Sequence, residues 1–449
     1  MRKGNRILSG LLALVMAAVM LLCPAGAITY EPDFTPTSKA VYLENLDTGL
    51  VLYEKNADEK MYPASLTKIM TAIVVLENVK DLDGETAEYP MWIQNMLYGT
   101  NASLGGLIVG EELTIRQLLT SALVQSGNES AMILAGYVGS GGMADFMPRD
   151  ITTFVEMMND KAKALGCTGT HFTNPTGLHS DNTYTTARDM AIMAKYAMQK
   201  SAFSSIVKNY AVQLGQTNKH ADLWQYSTNK MLLTSSPYYY APVVGIKTGS
   251  TDEAGRCVIS QAEDSGYHYF CVVMGSPVTA AEPYQNFIET RQLYRWAFGN
   301  FSLRTLLEQG ELMAEVPVKY SGDGKVAKLA IKEDVVQLLR DDISLDSIIY
   351  KAELPEFVEA PIAAGDTVGK MHIMLMGEEI GTVELVATQA YSLSWFRKAL
   401  GTIGSLLSST VAKVIFIVVV LAIAGYIVYA VRHNKKRKKH RSKYSDRNY

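Results

Sequence analysis

The sequence predicts a mixed α+β domain over residues 28–300, a smaller all-β domain over 301–388 and one membrane-crossing helix over 414–431. Three observations predict it. Between 28 and 300, short β-rich runs alternate with longer stretches whose apolar residues recur three and four apart, the pattern of strands packed with amphipathic helices. From 301 the texture changes to short alternating runs separated by turns. Val414 to Val431 is apolar throughout and uncharged, and at helical rise it covers the hydrocarbon core of a bilayer.

The two ends set the topology. Arg2, Lys3 and Arg6 precede an apolar run from Ile7 to Leu22 and an Ala25-Gly26-Ala27 cleavage pattern, so residues 1–27 read as a secretory signal. Nine Lys and Arg crowd residues 432–449, and by the positive-inside rule that basic tail is cytoplasmic and everything before the span lies outside. The net charge of −3 conceals this split: the ends hold 12 of the 42 Lys and Arg but one of the 45 Asp and Glu, leaving the outer portion at about −14. A field of that sign repels polyanions, which excludes nucleic acid as its partner, and contact with anionic lipid accounts for the tail. An anionic substrate therefore needs cations built into its own site.

Cys23 leaves with the signal. Cys167, Cys257 and Cys271 match neither a disulfide framework nor a zinc site and read as small buried hydrophobes, with a bridge between Cys257 and Cys271 across neighbouring strands left open. The histidines include no His-Glu-x-x-His pair, and His171, His179 and Asp181 read as a solvated loop. No metal or organic cofactor is called for.

In chain order, residues 40–44 and 50–54 flank Asp47-Thr48-Gly49 and predict a hairpin at a sheet edge. Pro63 suits a first helical turn, and the spacing predicts a helix from there to about Glu77. Helices follow at 114–124 and 129–138. The polar break Gln125-Ser126-Gly127-Asn128 between them places Ser126 and Asn128 on a loop free to face a cleft. Helices at 154–165 and 185–199 are joined by the turn-rich 172–178, and short strands are predicted at 210–214 and 223–225. Val243-Val244-Gly245-Ile246 feeds into Lys247-Thr248-Gly249-Ser250, which puts the triplet on a strand where Gly249 admits another backbone or a ligand. Strands at 257–261 and 268–274 and a helix at 282–298 close the domain. Strands at 314–318, 326–331, 350–354, 370–376 and 379–386 predict a small β-sandwich with no cluster of chemically useful residues. Residues 389–413, carrying Trp395, Phe396 and Leu400, predict an amphipathic connector at the membrane surface.

Chemistry concentrates in three places. Ser65 and Lys68 lie three apart on one helical turn, so a nucleophile and its base come together without a distant residue. A lysine takes a serine proton only when burial or a neighbouring cation keeps its amine neutral, and the positive helix end assists. Ser126-Gly127-Asn128 and Lys247-Thr248-Gly249 follow in order. Each is a weak signal alone; the ordered set in an exported chain is that of the serine penicillin-recognising enzymes, which carry Ser-Asp-Asn at the middle position.

The resemblance extends beyond these motifs. Residues 62–72, Asn174-Pro175-Thr176-Gly177-Leu178, residues 186–191 and residues 245–255 resemble the D-alanyl-D-alanine carboxypeptidases among the low-molecular-mass penicillin-binding proteins. That resemblance covers about 39–387. It implies a penicillin-binding transpeptidase/β-lactamase-like α+β catalytic domain, an antiparallel sheet flanked by helices, with an all-β domain after it. It implies peptidoglycan stem peptides ending in D-Ala-D-Ala as substrate and β-lactam antibiotics as covalent inhibitors. On this implication Ser65 attacks the carbonyl, Lys68 accepts its proton and Ser126 relays a proton to the leaving amine. Asn128 bonds the substrate amide, while Lys247, Thr248, Gly249 and Ser250 form the strand that receives the terminal carboxylate and holds the oxyanion. The alternatives are a β-lactamase, for which no deacylating glutamate is placed, a non-catalytic membrane-bound β-lactam sensor, against which the short tail with no domain speaks, and an endopeptidase or transpeptidase working on the same site.

Overall fold

The computed structural model describes residues 30–408 and 410–445; the expected signal segment 1–27 lies outside them. The described chain divides into two compact units. Residues 30–303 and 338–343 form one, and residues 304–337 with those from 344 onward form the other.

The first unit is built on a five-stranded antiparallel sheet. Its strands are β1 (Ala40–Asn45), β2 (Val51–Lys55), β3 (Lys247–Thr251), β4 (Gly255–Asp264) and β5 (Tyr267–Ser276), in the order β2-β1-β5-β4-β3. The near-continuous apolar strands are explained by burial on both faces. In β5, Phe270, Val272 and Met274 face one core while Tyr269, Cys271 and Val273 face the other, and Ala40 and Tyr42 alternate with Val41 and Leu43 in the same way on β1. The second core is closed by a helix that starts later than the 282–298 pattern, at Gln285–Asn300.

The first core holds the helices α1 (Lys68–Asn78), α2 (Asn128–Gly139), α3 (Pro148–Ala164) and α4 (Ala187–Met198), with α5 being Gln285–Asn300 on the opposite face. In α1 every residue from Lys68 to Val75 is buried, and α2 is buried from Asn128 to Val138. Such helices show no polar stripe because protein surrounds them. α3 begins six residues before the expected 154, at Pro148, where the missing N–H is tolerated. α4 is capped by Thr186, whose side chain accepts from the Asp189 N–H at 3.0 Å.

The option of a Cys257–Cys271 bridge is overturned. Both thiols are free and buried, and they point to opposite faces of the sheet, Cys257 into the first core and Cys271 into the second.

The second unit carries a six-stranded sheet that includes Leu312–Lys319, Val326–Ile331, Ile348–Glu353, Thr367–Leu375 and Glu378–Ala387. The sequence pattern missed Phe301–Leu307, Val335–Arg340 and Val358–Glu359. The first continues without a break from the helix before it, Val-Val-Gln-Leu-Leu-Arg does not alternate, and Val358–Glu359 is only two residues long. Helices at Trp395–Ser408 and Thr410–Ser445 follow, and within the latter Lys413–His433 is long and apolar enough to cross a membrane.

Candidate active site

Ser65 sits in a tight 3-10 turn, Ala64–Thr67, that leads directly into α1. Ala64 has φ +47°, a left-handed conformation that a residue with a Cβ adopts only under constraint. Two glycines supply that constraint. A Cβ on Gly177, itself at φ +80°, would lie 1.8 Å from the Ala64 carbonyl oxygen, and a Cβ on Gly249 would lie 2.9 Å from the Pro63 oxygen and 3.0 Å from the Ser65 nitrogen. The turn is thus clamped between the 174–178 loop and β3, and the expectation that Gly249 admits a second backbone is met by the Ser65 turn itself.

Lys68 is 1% exposed, and its amine has three partners: Ser65 Oγ at 3.1 Å, Asn128 Oδ1 at 3.0 Å and the Thr176 carbonyl at 2.7 Å. The latter two only accept. A neutral amine has two N–H donors and one lone pair. With both donors directed at Asn128 and Thr176, the lone pair is left facing the Ser65 hydroxyl. Burial pushes the Lys68 pKa well below the ordinary lysine value, the Lys247 charge adds to that, and Glu129 opposes it.

The Thr176 carbonyl is fixed by its own loop. Asn174 Oδ1 accepts from the Thr176 and Gly177 N–H groups at 3.1 and 2.8 Å, and Thr71 on α1 donates its hydroxyl to Pro175 at 2.6 Å. Sequence reasoning found this loop as a turn and as a family motif but missed its task of holding the lysine. A main-chain oxygen has no signature in side-chain pattern.

The second motif differs from expectation at one position. Ser126 follows a π-helical turn, Ser121–Gln125, and adopts the left-handed conformation at φ +66°, which ends the helix there. Asn128 is not on the loop but is the first residue of α2. Its side chain donates to the Ser103 carbonyl at 2.9 Å while accepting from Lys68. Ser126 Oγ is buried with no hydrogen-bond partner among the described residues. Glu129, next along α2, is also buried and bonds the Gly105 N–H at 2.6 Å; burial raises its pKa.

The third motif lies on β3 as expected. Thr248 Oγ1 is 2.5 Å from Thr228 Oγ1, and Ser250 is exposed. Lys247 is 1% exposed, donates to the Thr248 carbonyl at 3.0 Å and is pulled down by burial to a pKa of about 7. Ser65, Ser126, Thr248, Gly249 and Ser250 line one cavity of about 300 Å³. Lys68, Asn128 and Lys247 are buried and are not among the residues that line it. Ser103, Thr228, Lys230 and Arg256 are on the wall and were missed, because they belong to no run with a readable period.

Comparisons with known proteins find relatives over most of the chain. The family model described as D-alanyl-D-alanine carboxypeptidase, peptidase S11, matches residues 27–278, and that of the penicillin-binding protein 5 C-terminal domain matches 301–392. The chain is 29% identical over 389 residues to the D-alanyl-D-alanine carboxypeptidase DacF of Bacillus subtilis, covering 84% of this chain and 94% of that one. Penicillin-binding protein 5 of Haemophilus influenzae matches in structure with a TM-score of 0.60 at 26% identity, over 81% of this chain and 100% of its own. The Streptomyces K15 DD-transpeptidase matches with a TM-score of 0.54 at 30% identity, over 60% of this chain and 100% of its own.

Proposed function

The chain belongs to the D-alanyl-D-alanine carboxypeptidase family, and on that premise we propose that it removes the terminal D-alanine of peptidoglycan stem pentapeptides through an acyl-enzyme on Ser65. The observation that carries the proposal is the three-way coordination of Lys68: two fixed acceptors and one hydroxyl orient the amine as a base toward Ser65.

In this reading Ser65 attacks the carbonyl between the two D-alanines and Lys68 takes its proton. The backbone N–H groups of Ser65 and Ser250 hold the oxyanion, each such donor contributing about 3 kcal/mol to the transition state. The partnerless hydroxyl of Ser126, on the cavity wall, passes a proton to the leaving amine. Asn128 orients Lys68 and, with its remaining N–H, the substrate amide. Lys247 sets a positive field behind Thr248 and Ser250, which receive the carboxylate. Water then releases the acyl group. β-Lactams acylate the same serine.

The apolar helix Lys413–His433 is the anchor, with the basic residues after it cytoplasmic and the catalytic unit outside the membrane. The likeness to a solved DD-transpeptidase supports a second acceptor for the acyl group, an amine in place of water.

Incubation of the protein with a D-Ala-D-Ala-terminated pentapeptide and with benzylpenicillin tests the reading. The expected results are free D-alanine from the first and a long-lived adduct on Ser65 from the second, both lost in S65A. Rapid penicillin turnover without D-alanine release would mean a β-lactamase, and a stable adduct without peptide cleavage a sensor.

A further inference from the structure

We propose that Glu129 is a positioning residue for the Ser65–Lys68 pair: its buried carboxylate ties residues 103–107 to the first turn of α2, so that the Ser103 carbonyl holds Asn128 and Asn128 holds the Lys68 amine. This rests on the reading of Lys68 as the base and gives a task to an acid that the reading leaves without one.

The links are short and consecutive. Glu129 Oε1 accepts from the Gly105 N–H at 2.6 Å and from the Leu107 N–H at 3.4 Å. Two residues before Gly105, the Ser103 carbonyl accepts twice from Asn128, from its backbone N–H and from its side-chain amide, each at 2.9 Å. With its amide nitrogen held there, Asn128 turns Oδ1 to Lys68 at 3.0 Å. Residues 103–107 belong to no helix or strand, so no ladder of their own fixes the Ser103 carbonyl. The segment is instead pinned at Gly105, whose carbonyl also accepts from Gln225 at 2.9 Å and whose Cβ, if it had one, would lie 2.1 Å from Ser121 Oγ.

The charge of Glu129 serves the same pair. Glu129 is 1% exposed in the first turn of α2, where the helix end favours an anion, and its own N–H joins those of Gly105 and Leu107 in favouring the ionised form against burial. Its second oxygen has no hydrogen-bond partner among the described residues, and a Cβ on Gly127 would lie 3.2 Å from it, which places the carboxylate against the Ser126–Asn128 segment. Lys68 favours the ionised Glu129; in return Glu129 favours the protonated Lys68, against burial and the Lys247 charge. When Lys68 takes the Ser65 proton, this negative charge offsets the ammonium that forms. Tyr89, pushed up to about 12 by burial and then by Glu129, stays neutral while the lysine titrates.

The experiment reads the rate of Ser65 acylation by a fluorescent penicillin on the full-length protein from pH 5 to pH 10. E129A removes both the tether and the charge and lowers the rate by about tenfold to a hundredfold. In an N128A background the same change costs less than about threefold, because the tether acts through Asn128. E129Q keeps an oxygen for the Gly105 N–H but loses the charge, so the Lys68 pKa falls and the acid limb moves to lower pH by about half a unit to one unit.

E129A acylating at the wild-type rate, or losing as much with N128A as without it, overturns the proposal, and so does an E129Q limb that stays in place. If E129A does not fold, the E129Q limb decides. A K68A variant that acylates at full rate would instead strike the base reading, on which no variant of Glu129 bears.

Discussion

Two buried lysines of the first unit contrast with the surface ion pairs of the second. In the first, Lys68 and Lys247 are each 1% exposed and bonded to neutral oxygens. In the second, Lys332 pairs with Glu384 at 2.5 Å, and His372 bridges Glu353 and Glu379 at 3.0 Å each, all at the surface. Exposed pairs contribute little to stability, whereas a lysine buried without a counterion is destabilised in its charged form and becomes a base. The chain therefore accepts a cost in its first unit that it avoids in its second, and the cost falls where the proposed chemistry is.

Substitutions sharpen that contrast in descending order of effect. K68A removes the proposed base and lowers acylation by about a thousandfold or more, read as the rate of labelling by a fluorescent penicillin. G249V forces β3 away from the Ser65 turn, because its Cβ would meet the Pro63 oxygen at 2.9 Å. Acylation falls by about tenfold to a hundredfold, with folding checked by thermal melting.

K247M removes a charge that depresses the Lys68 pKa. The acid limb of the acylation profile then moves to higher pH, by about half a unit to one unit. The smallest effect belongs to the second unit. The two carboxylates raise the His372 pKa, so its contribution is fully present below the unfolded value and is lost as pH rises through the folded one. H372Q leaves melting temperature slightly lower at acidic pH and unchanged at alkaline pH, with no effect on acylation.

The same contrast explains what could be read from the sequence. Burial on one or both faces of a regular element leaves a period or a run, and so β1, β4, β5 and α1 were visible, as was the β3 placement of Lys247-Thr248-Gly249. Polarity marks a break in pattern and so puts Asn128 on a loop, while the break itself comes from the left-handed backbone of Ser126 two residues earlier. The Thr176 carbonyl and the Ser103 carbonyl are backbone atoms brought in by tertiary folding, and no residue pattern announces them.

The central claim is that Lys68 is neutral at the pH where the enzyme works. The measurement that meets it most directly is the rate of Ser65 acylation by a labelled penicillin from pH 5 to pH 11. The account predicts a rate that rises on an acid limb well below the ordinary lysine pKa of about 10.4 and then levels off. A rate that keeps climbing until that ordinary value, or one unaffected by loss of the Lys68 amine, would contradict it.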